Sequence, residues 1–281
     1  MEKGRKTLKT ITAILLAFFL FVLTLFGVGW LGALFTGLSW EHWRPTYEKT
    51  DLTAVLEKTE WTDDDYQLLY RQTGLTEITV NELLSLGDKN RIIGIQTAFF
   101  AENNAIGTCF APWSYVETID GYVPLAPLQN GDILISAAAY VSFFRYGHAA
   151  LVVDGAYGRI LEALEPGTQS KITAASTFST LANFIVLRPK VDKSIRDAVA
   201  KAALRDSVGV NYSLMAGLFG EKYQETLSST HCSHLVWHAY MRYGIDLDGD
   251  GGNLVKPQDF LRSPLVDVVQ VYGFDLDTLW G

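Results

Sequence analysis

No side chain between Thr10 and Trp40 carries a charge, and the stretch from Ile11 to Leu38 reads ITAILLAFFLFVLTLFGVGWLGALFTGL. A hydrocarbon layer about 30 Å thick takes roughly 20 helical residues, so this segment has the length and composition of a single membrane-crossing helix. Lys3, Arg5, Lys6 and Lys9 precede it, and cytoplasmic flanks favour positive charge. The expected layout is a cytoplasmic basic tail over 1–10 and a transmembrane anchor over 11–38. The remainder then lies outside the cytoplasm, on a single-pass protein of the cell membrane. The competing reading is a cleaved export signal, whose apolar stretch normally runs about 7–15 residues to a small-x-small site. Only Gly32-Ala33 and Thr36-Gly37 offer themselves for cleavage, and no lipid-anchoring cysteine follows. Both readings export the rest of the chain.

Beyond the first ten residues the chain holds 19 basic against 30 acidic side chains, a net of −11. Binding to nucleic acid rests on basic contacts to phosphates, so nucleic acid is not an expected partner. A diffuse acidic balance keeps a surface soluble, and it suits a substrate carrying amines or a neutral polymer. Cys109 and Cys232 are the only cysteines. An extracytoplasmic location permits a disulfide between them, and such a bond would remove Cys232 as a nucleophile.

From Glu41 to about Asn104 the segments DLTAVLEKTEW, TDDDYQLLYRQTGL, TVNELLSLG and DKNRIIGIQTAFFAEN repeat apolar residues at intervals of three and four, with Thr or Asp starts. They predict a helical lead-in over 39–110, punctuated by Gly74 and Gly87, whose expected role is to cap the fold. The acidic run Asp63, Asp64, Asp65 complements the dipole at a helix start and needs no further purpose. After Asn104 the pattern turns to short runs bounded by turns: GDILISAAAYV, GHAALVVDG, GRILEALE and FIVLRP. These predict a small antiparallel sheet. A helix follows over Asp192 to Val208. A last helix, HCSHLVWHAYMRYG, is expected to be capped by Ser228-Ser229-Thr230 and closed by Gly244.

Cys232 therefore falls in the first turn of a helix, where unpaired N–H groups and the positive dipole end stabilise a thiolate. The bland reading is a buried cysteine acting as a small hydrophobe. His148 heads the apolar strand HAALVV and can project from the sheet edge toward a helix packed across it. A satisfied core histidine is the competing reading. Glu162, on the next strand, can accept a hydrogen bond from the imidazole and fix its tautomer, with Glu165 in reserve.

Taken in order, GDILIS, GHAALVVDG, RILEAL, a helix and then THCSHLVWHAY resemble the circularly permuted papain-like hydrolases of the NlpC type, in their YiiX/YebB-like branch. The resemblance covers roughly 126–281. It implies an α+β, permuted papain-like fold in which a small antiparallel sheet packs on a C-terminal cysteine helix, with a catalytic domain over 111–281. It carries the family's base onto His148, its orienting polar residue onto Glu162 and its nucleophile onto Cys232 within CSHLVW. The family's tyrosine before the cysteine helix falls on Tyr212, as a substrate-binding or oxyanion-side hydroxyl. His234 departs from the pattern, which more often has an acidic residue there.

His231, His234 and His238, spaced three and four apart, share a helical face and open a zinc reading, although no HExxH pattern accompanies them. DLDGDG opens like a calcium loop, with Asp246, Asp248 and Asp250 as oxygen ligands, yet Pro257 stands where the twelfth-position Glu is expected. The expected function is a cysteine hydrolase of the cysteine peptidase or amidase type, cleaving an amide through a Cys-His-Glu triad and an acyl-enzyme. It requires no cofactor. The resemblance and the outward-facing anchor imply cell-wall peptides, such as peptidoglycan stem peptides, as substrate. The rivals are a thiol acyltransferase or lipid acyl hydrolase at the membrane, a zinc protein, and a catalytically inactive envelope binding module.

Overall fold

In the computed structural model, which describes residues 2–39, 42–111, 114–218 and 221–280, helix α1 (Glu2–Ser39) is one unbroken rod. Its stretch Lys9–Ser39 is long and apolar enough to cross a membrane, and its large side chains from Ile11 to Leu38 are exposed. The side chains of Lys3, Arg5 and Lys6, which carry the charge argument for orientation, lie outside the described residues, as do Trp40 and Glu41.

The lead-in folds as α2 (Thr53–Leu56), α3 (Asp63–Thr73), α4 (Glu77–Ser85) and α5 (Lys89–Phe99). The helix expected over DLTAVLEKTEW is a single turn. Thr62 is the N-cap of α3 in a reciprocal capping box with Asp65, so the chain must leave helical geometry before it. Gly74 ends α3 at φ 70°, and a β-carbon there would come within 2.0 Å of the Val271 carbonyl. Only glycine permits both the left-handed turn and that approach.

Two hairpin strands follow, β1 (Ala105–Ala111) and β2 (Ser114–Ile119), then β3 (Ile133–Ser136), β4 (Ala139–Val141), β5 (His148–Asp154), β6 (Arg159–Glu162), β7 (Lys171–Ala174) and β8 (Phe184–Pro189). After α6 (Lys193–Asp206) come β9 (Asn211–Tyr212), β10 (Ser229–Thr230), α7 (Cys232–Met241), α8 (Pro257–Arg262) and β11 (Val266–Tyr272). The main sheet has the order β11-β8-β3-β5-β6-β7, antiparallel throughout. A second antiparallel sheet runs β1-β2-β4, and β9 pairs with β10 in parallel. The protein is thus α+β, with antiparallel sheets and an N-terminal apolar helix.

The run GDILISAAAYV divides between both larger sheets: β3 enters the main sheet and β4 the smaller one. The β1–β2 hairpin crosses the expected boundary at 110/111 between lead-in and catalytic domain, so the end of the expected helical lead-in is strand. Strands β3 and β8 are buried along their whole length, which explains their continuous apolar runs. Helices α6 and α7 pack against β5. Leu69, Leu75, Leu83 and Ile92 of the lead-in join the same core as Ile133, Leu151 and Leu187. Thr76 and Thr79 donate to the Val268 and Val269 carbonyls of β11, so the lead-in covers the edge strand of the main sheet.

The Gly-Asp pair before β3 has a structural role. Asp132, fully buried, accepts from Arg188 Nε and Nη2 at 2.8 Å each, while Arg188 Nη1 reaches Glu82 of α4 at 2.9 Å. One guanidinium joins the sheet to the lead-in, and the bidentate geometry satisfies the buried carboxylate.

Candidate active site

The cysteine helix starts differently from expectation. Its N-cap is His231, in extended backbone geometry, with Nδ1 accepting from the His234 amide at 3.4 Å. Ser229 and Thr230 are instead the strand β10. An imidazole nitrogen offers the same in-plane acceptor that a Ser or Asn oxygen offers to the first helical turn. Cys232 is consequently the first residue of α7, 7% exposed, with the free N–H groups and positive end of the helix beside its sulfur.

Across from it, His148 is the first residue of β5. Gly147 before it has φ 69°, and a β-carbon there would lie 2.6 Å from the Ser136 carbonyl and 2.8 Å from the Trp280 ring. The glycine lets the chain turn tightly into β5 and aim the imidazole at α7. Leu151 opposes Leu161 in the β5–β6 pair, which sets Glu162 diagonal to His148, within reach of a long side chain. His148 Nε2 donates to Glu162 Oε2 at 2.6 Å. Thr173 of β7 donates to the other oxygen of Glu162, and Phe178 stacks on the imidazole at 5.7 Å. With Nε2 committed to Glu162, the other ring nitrogen is left for the thiol of Cys232, which interacts electrostatically with the imidazole.

The electrostatics of the three groups reinforce one another. Burial works against the charged imidazole, but hydrogen bonds to Cys232 and Glu162 outweigh it and push His148 well above its ordinary value. Burial likewise works against a thiolate, yet His148 and then His231 hold Cys232 well below the usual thiol range. Glu162 stays below the ordinary carboxylate range despite burial, because His148 and Thr173 donate to it. The three shifts together favour a thiolate–imidazolium pair backed by a carboxylate.

Two cavities flank this pair. On the thiol side, about 330 Å³ is lined by Phe144, Tyr146, Tyr212, Leu214, His231 and Cys232, among others. On the imidazole side, about 200 Å³ is lined by Tyr146, His148, Glu162, Leu164, Phe178 and Leu181, with other largely apolar residues. Tyr146 walls both. Tyr212, singled out in the sequence, lies beside the thiol. Burial first, and the neighbouring Cys232 second, raise its phenol, which stays protonated as a donor. The contributions of Tyr146, Thr173 and His231 were missed by sequence reasoning. Tyr146 stands two residues before His148, and His231 directly before Cys232, so adjacency to the motif was the available signal.

Cys109 and Cys232 form no disulfide: Cys109 is exposed on β1 and Cys232 is buried at α7. The other histidines of α7 fasten a loop. His234 Nε2 donates to the Lys222 carbonyl at 2.8 Å and its Nδ1 meets the Thr230 hydroxyl, while His238 Nε2 donates to the Gln224 carbonyl at 2.5 Å. Of the proposed calcium ligands, Asp246 accepts from Trp237 Nε1 at 2.8 Å. Asp248 and Asp250 gather with Asp259 instead, and Lys222 and Lys256 lie against them as counter-charges. Pro257 opens α8. Glu165 caps a turn through its carbonyl and leaves His148 to Glu162.

No protein-family model, curated protein or solved structure matches the chain.

Proposed function

We propose that the protein is a membrane-anchored cysteine hydrolase of the permuted papain-like type, working outside the cytoplasm by acyl transfer. The observation that carries the reading is the 2.6 Å bond from His148 to Glu162, on an imidazole that interacts electrostatically with Cys232 at the start of α7. The Cys232 thiolate attacks a carbonyl carbon, and the electron pair of the C=O moves to oxygen. N–H groups of the first turn of α7, with the phenols of Tyr146 and Tyr212 in reach of the cavity, stabilise that oxyanion. The imidazolium gives its proton to the departing amine or alcohol as the tetrahedral adduct collapses to a thioester. Neutral His148 then takes a proton from water, which attacks the thioester and releases the acid and the thiolate.

The resemblance of the motifs favours amides of cell-wall peptides, the peptidoglycan stem peptide above all. A second reading, an acyl ester or amide carrying a fatty chain, is favoured by the apolar lining of the cavity beside His148. The test is Cys232→Ala and His148→Ala protein offered both substrate classes, with trapping of the thioester by hydroxylamine. Loss of turnover in both variants supports the reading; turnover that survives Cys232→Ala overturns it.

A further inference from the structure

Strand β4 ends in a two-residue turn, in which Val141 and Phe144 exchange both backbone hydrogen bonds at 2.8 Å. Ser142 takes φ 48° to make it, a left-handed conformation that costs a non-glycine residue about 1 kcal/mol or more. The turn carries Phe143 at its tip and Phe144 at its closing pair, 56% and 74% exposed. Two adjacent phenylalanines held out on a strained turn forgo burial that a folded core would reward.

The tip lies against α1. A β-carbon on Gly32 would meet Ser142 Oγ at 2.4 Å and the Phe143 ring at 2.6 Å, and Ala33 and Thr36 are buried where the helix leaves its exposed stretch. Arg145, one residue past Phe144, points Nη2 at the Thr36 carbonyl at 3.5 Å while holding Glu117 with both nitrogens. About 20 residues counted from Thr10, at 1.5 Å each, carry a helix across roughly 30 Å of hydrocarbon to the neighbourhood of Trp30. An exposed tryptophan at that level is the usual marker of the interface. Gly32 and Phe143 therefore sit within a turn of the hydrocarbon boundary. The cavity that holds Cys232 opens beside them, with Phe144 on its wall and Leu214 and Met215 exposed nearby.

We propose that the Phe143-Phe144 turn inserts into the lipid interface next to α1 and presses the mouth of the Cys232–His148 site onto the bilayer surface. The occupant of this apolar surface is lipid, and the substrate is one that the bilayer carries, with its scissile carbonyl at headgroup level. The seating of the turn rests on α1 crossing a membrane and stands apart from whether Cys232 is a nucleophile, while the bilayer-borne substrate rests on the proposed function.

The test is photo-crosslinking of the full chain in phosphatidylcholine–phosphatidylglycerol vesicles doped with an alkyne-tagged lipid. A benzophenone amino acid replaces Phe19, Phe144 or Tyr157 in turn, in a Cys232→Ala background so that no turnover interferes. Tyr157 is 80% exposed in the turn after β5, whose seven residues carry the chain about 20 Å from His148. The expected result is lipid adducts from positions 19 and 144 and none above background from 157. Adducts from 19 without adducts from 144 overturn the seating of the mouth. Silence at 19 as well overturns it through the anchor itself.

Discussion

Glu162 accepts the Nε2 proton of His148 at 2.6 Å from a diagonal position on the neighbouring strand, and Thr173 occupies its second oxygen. The arrangement fixes the tautomer that leaves the other ring nitrogen for the Cys232 sulfur. Glu162→Gln keeps the shape and removes the charge that favours imidazolium. Turnover in this variant is expected to fall by roughly 10²–10⁴-fold, the range that positioned acid–base catalysis contributes, with neutralisation of a triad's orienting acid at about the upper end. Steady-state kinetics beside circular dichroism check it: an intact fold with unchanged kcat contradicts the role.

Asp132 illustrates a motif residue whose importance is to the fold. Its carboxylate is fully buried against Arg188, and removing one partner leaves the other charge desolvated. Arg188→Met is expected to cost about 3–5 kcal/mol. Chemical denaturation reads this directly, and a loss below about 1 kcal/mol, the size of a surface pair, contradicts it.

Arg145 ties the active-site loop to α1 and to the buried Glu117, whose carboxyl burial pushes up against the pull of Arg145. Arg145→Met leaves Glu117 without its counter-charge and is expected to destabilise by a similar 3–5 kcal/mol. Because the loop carries Phe143 to His148, proteolysis at the tip should also quicken. Limited digestion of wild type and variant compares the two, and equal cleavage rates would contradict the coupling.

Ring nitrogens of His234 and His238 are taken by the carbonyls of Lys222 and Gln224, and Lys222 and Lys256 pair with Asp248 and Asp250 while Lys256 and Arg262 face Asp259. Chelation by EDTA is therefore expected to leave turnover and melting temperature unchanged. A drop in either after dialysis against EDTA, restored by zinc or calcium, would return a metal to the account.

Much of the site could be read from the chain because its determinants are local. A thiol at the start of an apolar helix, a Gly-His entry to an apolar strand and an acid on the next strand each follow from spacing. The remainder depends on contacts distant in sequence. Arg188 meets Asp132 and Glu82 only after the sheet forms, and Arg145 meets Thr36 across most of the first half of the chain. The β1–β2 hairpin has weak alternation because β1 is exposed over 105–109 and β2 is mostly half-buried, with the charged Glu117 among its buried positions. His231 opens a rival zinc reading because side-chain spacing shows a shared helical face, but spacing says nothing of a ring turned back onto its own helix end. The apolar faces of α3 to α5 fit a separate cap as well as a shared core, and the bonds from Thr76 and Thr79 at the start of α4 to β11 decide between them.

The most direct test of the thiolate–imidazolium pair is the rate of Cys232 alkylation by iodoacetamide across pH 5–9, located by peptide mass, with Cys109 as internal reference. The thiol is held below its ordinary value and the imidazole above its own, so the reactive pair is complete between the two and is lost only below the first or above the second. Wild-type Cys232 should therefore react at a rate that stays nearly flat through neutral pH. In His148→Ala the rate should fall and then climb about tenfold per unit toward an ordinary thiol near 8.5. A wild-type profile that already climbs in this way, or one that His148→Ala leaves unmoved, contradicts the pair and with it the catalytic reading.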